Sequence, residues 1–154
     1  MKVNLIMGGK AMSGHLNIDP HGFGEDNKVV GEINNLDEYV GDAEATEILA
    51  LDVINYLPIE EVEEAISNWI SKLRHGGKIV IGGKDILSVS KIFAQGAINL
   101  VTVNKEIFGE NDVLNKRKSH ITLRYISELL KVKGLKILKK RINGTSISVE
   151  AIRE

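Results

Sequence analysis

One stretch limits the folds open to this chain more than any other: "EILALDVINYLPIEEVEEAISNWISKLRHGGKIVIGG". Its middle carries Ile59, Val62, Ala65, Ile66, Trp69, Ile70 and Leu73 at helical spacing, which gives one apolar face. Pro58 suits the first turn of such a helix, early glutamates suit its positive end, and Lys72 and Arg74 suit its negative end. Gly76-Gly77 then stops it. The flanking runs, "EILAL" and "KIVI", are short and mostly apolar, as strands are when both faces of a parallel sheet are covered. Strand, helix, glycine turn and strand make a βαβ unit, so the expected class is α/β.

Other strands are predicted at Lys2–Met7, His15–Ile18 and Lys28–Ile33, with the two flanking runs extending over Thr46–Leu51 and Lys78–Ile81. A second helix is predicted over Leu123–Lys133, with Ile126, Leu129 and Leu130 inward. The chain closes with two alternating segments around Asn143-Gly144, a strong hairpin signal. At 154 residues, with no repeat or linker, residues 1–154 read as a single domain.

The opening, "MKVNLIMGGKAMSGHLNIDP", runs a strand into Gly8-Gly9 and then into a second apolar segment ending at Asp19. Open α/β sheets bind ligands outside the carboxyl ends of their strands, and glycines there let backbone approach a ligand closely. Neither GxGxxG nor GxxxxGK[ST] is present, and Asp19 follows Gly8 by 11 residues, against the ~20 of a dinucleotide site. That gap leaves little room for a crossover helix, so an antiparallel pairing of the first two strands stays open on spacing alone.

Composition removes several chemistries. The chain has no cysteine, which excludes disulfides, thiol nucleophiles and thiolate metal sites. His15, His21, His75 and His120 show no i, i+4 spacing, so no metal site is expected. No apolar run reaches the ~18 residues of a membrane span, and no secretory pattern opens the chain, so a cytoplasmic location is expected. The net charge of −1 is unevenly spread: residues 1–104 hold 8 basic and 15 acidic side chains, residues 105–154 hold 12 and 6. A basic C-terminal third can attract a nucleic acid, although no aromatic residues are interleaved for base stacking.

Three blocks together resemble a known family. "VNLIMGGKAMSGHLNID" is similar to the opening of small class I S-adenosylmethionine-dependent methyltransferases, approximately LNLGCG, a short variable stretch and NVD. The βαβ stretch, continued to Ile86, resembles their fourth strand, following helix and fifth strand. "KSHITLRYISELLKVKGLKILKKRINGTSISVEAIR" resembles their closing helix and hairpin. The resemblance implies a Rossmann-like, mostly parallel seven-stranded sheet with a C-terminal antiparallel hairpin, and S-adenosylmethionine as cofactor. Carried onto matching positions, it places Gly8 and Gly9 in the cofactor loop, Asp19 at the cofactor ribose, Glu32 and Ile33 near the adenine, and Asp52 near the methionine or substrate end. Asp85 and His120 are the candidates for a general base, should the acceptor need to lose a proton.

The sequence also departs from the family's pattern. Ile6 stands where the first loop glycine is usual, Asn55-Tyr56 replaces Glu-His, and His75 replaces proline. The implied activity is methyl transfer to an acceptor that the sequence leaves open, small molecule or macromolecule. The rival reading is a degenerate methyltransferase fold acting as a binding or assembly module, with a further oligomeric partner left open.

Overall fold

The computed structural model describes residues 1–109 and 116–154. Six strands form one sheet: β1 (Lys2–Leu5), β2 (Leu16–Ile18), β3 (Ala45–Ala50), β4 (Leu73–Lys84), β5 (Leu135–Asn143) and β6 (Ser146–Arg153), in the order β2-β1-β3-β4-β6-β5. β1 pairs in parallel with β2, Val3 facing Leu16, and with β3, Val3 facing Ile48. β3 and β4 are also parallel, whereas β6 runs antiparallel to both β4 and β5. The pairing of the first two strands is therefore parallel, despite the short connection between them.

The seventh strand expected at Lys28–Ile33 is reduced to one parallel bridge, Val29 beside Ile18 at the outer edge of β2. Beyond it Gly31 N still reaches the Asp19 carbonyl at 3.4 Å, and a Cβ at Gly31 would lie 2.6 Å from the Tyr39 ring. β4 in turn is longer than expected. The 74–77 turn, with Gly76 at φ 75°, interrupts its pairing with β3, and regular register resumes at Lys78.

Among the described residues four α-helices, with a short 3-10 turn at Ile54–Tyr56, accompany the sheet: α1 (Ile59–Lys72), α2 (Ile86–Ala94), α3 (Leu100–Phe108) and α4 (Leu123–Val132). α1 and α4 match the two helices read from periodicity; α2 and α3 lie between β4 and α4. The apolar faces of α1 (Val62, Ala65, Ile66, Trp69) and α4 (Ile126, Leu129, Leu130) join Val3, Leu5, Ile48, Ala50, Ile79, Ile81, Val149 and Ala151 in one core. These strand residues share one face of the sheet, since period-2 alternation sends their neighbours to the other. Among the described residues no helix is long and apolar enough to cross a membrane.

The second face is polar. Glu47 receives Lys2 at 4.0 Å, Lys78 at 3.3 Å and the His15 imidazole at 3.1 Å, and Lys78 reaches Glu150 at 3.6 Å. No helix connects β1 to β2; the 6–15 loop folds back and is fastened by Asn17 instead. The Asn17 amide accepts from Met12 N (2.8 Å) and Asn4 Nδ2 (2.9 Å) and donates to the Met12 and His15 carbonyls. One buried side chain thus satisfies backbone groups that a crossover helix would otherwise pair internally.

Trp69 links this scaffold to the strand ends above it. Its ring is fully buried and its Nε1 donates to the Ile33 carbonyl at 2.7 Å. Trp69→Phe keeps most of the apolar volume but strands that carbonyl, so urea unfolding should show a loss of about 1–3 kcal/mol.

Candidate functional site

β1 ends at Leu5, and the next residues turn sharply. Ile6 N donates to the Ile18 carbonyl at 2.9 Å, continuing the β1–β2 ladder by one bond. Gly8 then takes φ 71°, a conformation that favours glycine, and its N–H points at Asp19. The Ile6 side chain is buried beneath this corner, with Cγ2 only 2.9 Å from where a Gly9 Cβ would stand. A side chain at position 9 would therefore crowd the Ile6 methyl group.

Asp19 closes β2 with no exposed surface. Its Oδ1 and Oδ2 each lie 3.2 Å from Gly8 N, Oδ1 accepts from His21 N at 2.9 Å, and Oδ2 accepts from Lys28 Nζ at 2.8 Å. Burial works against the charged carboxylate, but the hydrogen bonds from Lys28, His21 and Gly8 outweigh it and hold Asp19 below the ordinary carboxylate value. Lys28 also pairs with Glu25 at 2.9 Å, and its side chain is 1% exposed. The glycine corner and the acidic residue are brought together, and they bond directly to each other.

A crevice of about 220 Å³ opens beside them. Met7 lines it from the end of β1, Pro20 and His21 from the end of β2, Glu32–Asn34 from beyond the Val29 bridge, and Tyr56–Pro58 from beyond β3. It thus lies outside the carboxyl ends of the strands, where the order reverses between β1 and β3. Glu32 is exposed at its wall, whereas Ile33 is 1% exposed and held by Trp69. Lys116 and Lys118 complete the lining, two residues that sequence reasoning noted only as part of a basic segment. They arrive through Asn55, whose carbonyl accepts from Lys118 N (2.7 Å) and Ser119 N (3.1 Å) and whose side chain accepts from Lys84 N at 2.9 Å. Asn55 is buried, so its place after β3 is occupied for structural reasons.

Of the candidates only Glu32 and Ile33 line this crevice; Gly8, Gly9 and Asp19 adjoin it through Met7, Pro20 and His21, and Asp52, Asp85 and His120 stand apart. Asp52 follows β3 in the left-handed region, φ 56°, which aspartate enters more readily than most residues other than glycine. It is exposed and lines a second recess of about 310 Å³ with Gly82, Gly83, Arg141 and Ser148. Asp85 is buried as the N-cap of α2, accepting from Leu87 N at 3.0 Å and Ser88 Oγ at 2.9 Å. His120 donates from Nε2 to the Ile107 carbonyl at 2.6 Å, and its Nδ1 is buried without a hydrogen-bond partner. Burial above all, with Arg117 nearby, keeps its imidazole below the usual histidine value despite the Ile107 carbonyl.

No family model matches the chain, and no curated protein matches it. Solved structures do. An O-methyltransferase family protein from Burkholderia thailandensis aligns at 16% identity and TM-score 0.57, over 82% of this chain and 35% of its own. A SAM-dependent methyltransferase from Archaeoglobus fulgidus aligns at 12% identity and TM-score 0.62, over 90% of this chain and 76% of its own. The magnesium protoporphyrin IX methyltransferase of Synechocystis, determined with bound SAH, aligns at 16% and 0.58, over 94% and 67%. The chain spans about a third of the length of the first and more of the others. Its architecture is that of the class I methyltransferases, with six strands and a bridge in place of seven.

The state of Asp19 sets an acid limit on stability. A carboxylate held below its unfolded value contributes stability that is complete above about pH 4 and is lost as pH falls through the folded value. Denaturant unfolding of the wild type should weaken steeply below about pH 4. Asp19→Asn, which cannot titrate, should start less stable and show a shallower decline.

Proposed function

We propose that the crevice binds the adenosyl part of S-adenosylmethionine and that the chain is a methyltransferase. The observation that carries this reading is the convergence of Met7, Pro20–His21, Glu32–Asn34 and Tyr56–Pro58 on one cavity at the strand-order reversal. The group fits the residues in kind. Met7, Ile33, Leu57 and Pro58 offer apolar walls for a purine, and Glu32 and Asn34 offer polar atoms for its edge. At about 220 Å³ the cavity is smaller than the ~300–1,000 Å³ usual for small-molecule sites, so it suits part of such a ligand in its present shape.

When bound, this cofactor supplies a methyl group on a sulfonium that is already a good leaving group. The protein's share is then to exclude water and align the acceptor. Apolar residues around the crevice do the first. Asp52, exposed beside the second recess, is an acidic residue placed to face an acceptor. Asp85 is committed to capping α2, and the His120 nitrogen able to take a proton, Nδ1, is buried, so in our reading neither acts as the base. The acceptor must bring its own nucleophile or lose its proton to Asp52.

A specific observation favours a second reading, a binding module without activity. Asp19 is already satisfied by Lys28, and Ile6 fills the space under the loop. Calorimetry with S-adenosylmethionine and S-adenosylhomocysteine tests the first point, with micromolar to submillimolar binding expected. Absence of both heat and thermal shift at millimolar ligand would exclude the adenosyl site. Binding without methyl transfer to any of a panel of sugar, metabolite, peptide and RNA acceptors would favour the module.

A further inference from the structure

We propose that the outward face of α3 binds an amphiphilic anion, one apolar chain ending in a carboxylate or phosphate. The chain lies against Leu100, Val101 and Phe108, and the charge meets Lys105 and Lys116. The binding site stands on α3 and its neighbouring segment alone; that the amphiphile is the methyl acceptor rests on the adenosyl reading of the crevice.

α3 carries more apolar surface than the fold uses. Of Leu100, Val101, Val103, Ile107 and Phe108, only Val103 is buried. Leu100 and Val101 are 66% and 65% exposed, and Phe108 is 54% exposed. Positions 100, 101, 104, 105 and 108 are all exposed and follow helical spacing, so they share one face that points away from the core. The chain's three phenylalanines, Phe23, Phe93 and Phe108, are likewise all exposed, whereas its buried core holds aliphatic residues and Trp69. Apolar side chains gathered in water on this scale mark a contact surface.

Shape and charge select the occupant. Leu100, Val101 and Phe108 line a recess of about 510 Å³ with Lys105 and Lys116, within the ~300–1,000 Å³ of small-molecule sites. Its two walls are tied together. Arg117 N donates to the Phe108 carbonyl at 3.0 Å, and Arg117 Nη1 donates to the Lys105 and Glu106 carbonyls at 3.1 and 2.8 Å. Lys116 is thereby held beside the last turn of α3. Glu106, the single acidic residue from Ile86 to Phe108, does not line the recess and pairs instead with Lys84 Nζ at 2.6 Å and Thr145 Oγ1 at 3.0 Å. Asn104 donates its amide to the Leu100 carbonyl at 2.8 Å. Among the described lining residues the charges are therefore two ammonium groups beside apolar walls. Lysine stems add apolar cover while their heads meet an anion.

The concavity favours a single chain over a bilayer, which receives a protruding apolar face. Lys116 also lines the crevice at the strand ends, so an anion held there lies on a wall common to both cavities. Such an acceptor carries its own nucleophilic oxygen, and no base is then required of Asp85 or His120.

An NMR titration of the isotope-labelled wild-type protein with decanoate, kept below micelle formation, reads the site directly. Shifts should saturate and centre on Leu100, Val101, Lys105, Phe108 and Lys116. Acetate, which lacks the chain, should leave these residues unmoved, and decanol, which lacks the charge, should bind roughly tenfold more weakly. Leu100→Ser should weaken decanoate binding about tenfold and leave the calorimetric affinity for S-adenosylhomocysteine unchanged. Lys105→Met with Lys116→Met should bring decanoate down to the affinity of decanol. If a variant does not fold, the wild-type titrations decide alone. Absence of saturable shifts at these residues, or equal binding of decanoate and decanol, overturns the proposal. Self-association abolished by Leu100→Ser, without decanoate binding, overturns it in favour of a second copy on this face. Binding of anionic vesicles without binding of the monomer overturns it in favour of a bilayer. Decanoate bound by a wild type that takes no S-adenosylhomocysteine upholds the site and overturns the adenosyl reading, and the acceptor role with it.

Discussion

A carboxylate without exposed surface joins the ends of the first two strands, and the candidate site is arranged around it. Asp19 receives the Gly8 and His21 amides and the Lys28 ammonium, so the turn after β1, the turn after β2 and the segment leading to the Val29 bridge meet at one side chain. Each hydrogen bond to a charged acceptor in a dry setting is strong, and each offsets part of the cost of burying the charge. Removing any donor raises the cost of keeping the rest. The corner is consequently a unit, and the shape of the neighbouring crevice follows from how that unit is closed.

The same economy of helices runs through the first third of the fold. A parallel pair ordinarily takes a crossover of a dozen or more residues, frequently helical. Here the β1–β2 connection is a loop secured by the Asn17 amide, and the core lies on the face covered by α1 and α4. The other face is made tolerable to water by cross-strand charge. Lys2, Glu47, Lys78 and Glu150 alternate in sign, with His15 added from the loop. Such half-exposed pairs contribute little stability individually. Their effect is to let a largely parallel sheet expose a face that is usually buried.

The crevice and the recess beside Asp52 divide the work that a methyl-transfer reading requires. One, fixed in part by Trp69 through Ile33, takes residues from three strand ends and from beyond the Val29 bridge. The other sets Asp52, Arg141 and Ser148 beside Leu51 and Ile147, with Gly82 and Gly83 in its lining. Asn55 stands between them in sequence and ties the end of β4 to the 117–120 segment, which delivers Lys116 and Lys118 to the crevice. The 105–154 segment with its excess of basic residues therefore reaches the site through two lysines, while Lys136, Lys139, Lys140 and Arg141 lie on β5, the sheet's last strand, where charge discourages pairing with other chains.

By itself the sequence determined the elements whose signals are local. The α1 face, the α4 face, the Asn143-Gly144 hairpin and the central parallel strands all depend on periodicity or turn chemistry within a few residues, and the resemblance of three ordered blocks implied a mostly parallel sheet closed by an antiparallel hairpin. The positions of Gly8 and Asp19 at adjoining strand ends were legible for the same reason. Three things were decided only by tertiary structure. The strand at Lys28–Ile33 shrank to a bridge at Val29, and Gly31 beyond it packs on Tyr39, a contact between residues whose spacing carries no pattern. Asp85 and His120 became a cap and a carbonyl donor because of what folded against them. Lys28 reached Asp19 because the loop between them closes into a dry corner. Periodicity tells which face of an element is apolar, whereas the partner of a buried charge depends on where distant backbone brings a donor, and that is settled in three dimensions.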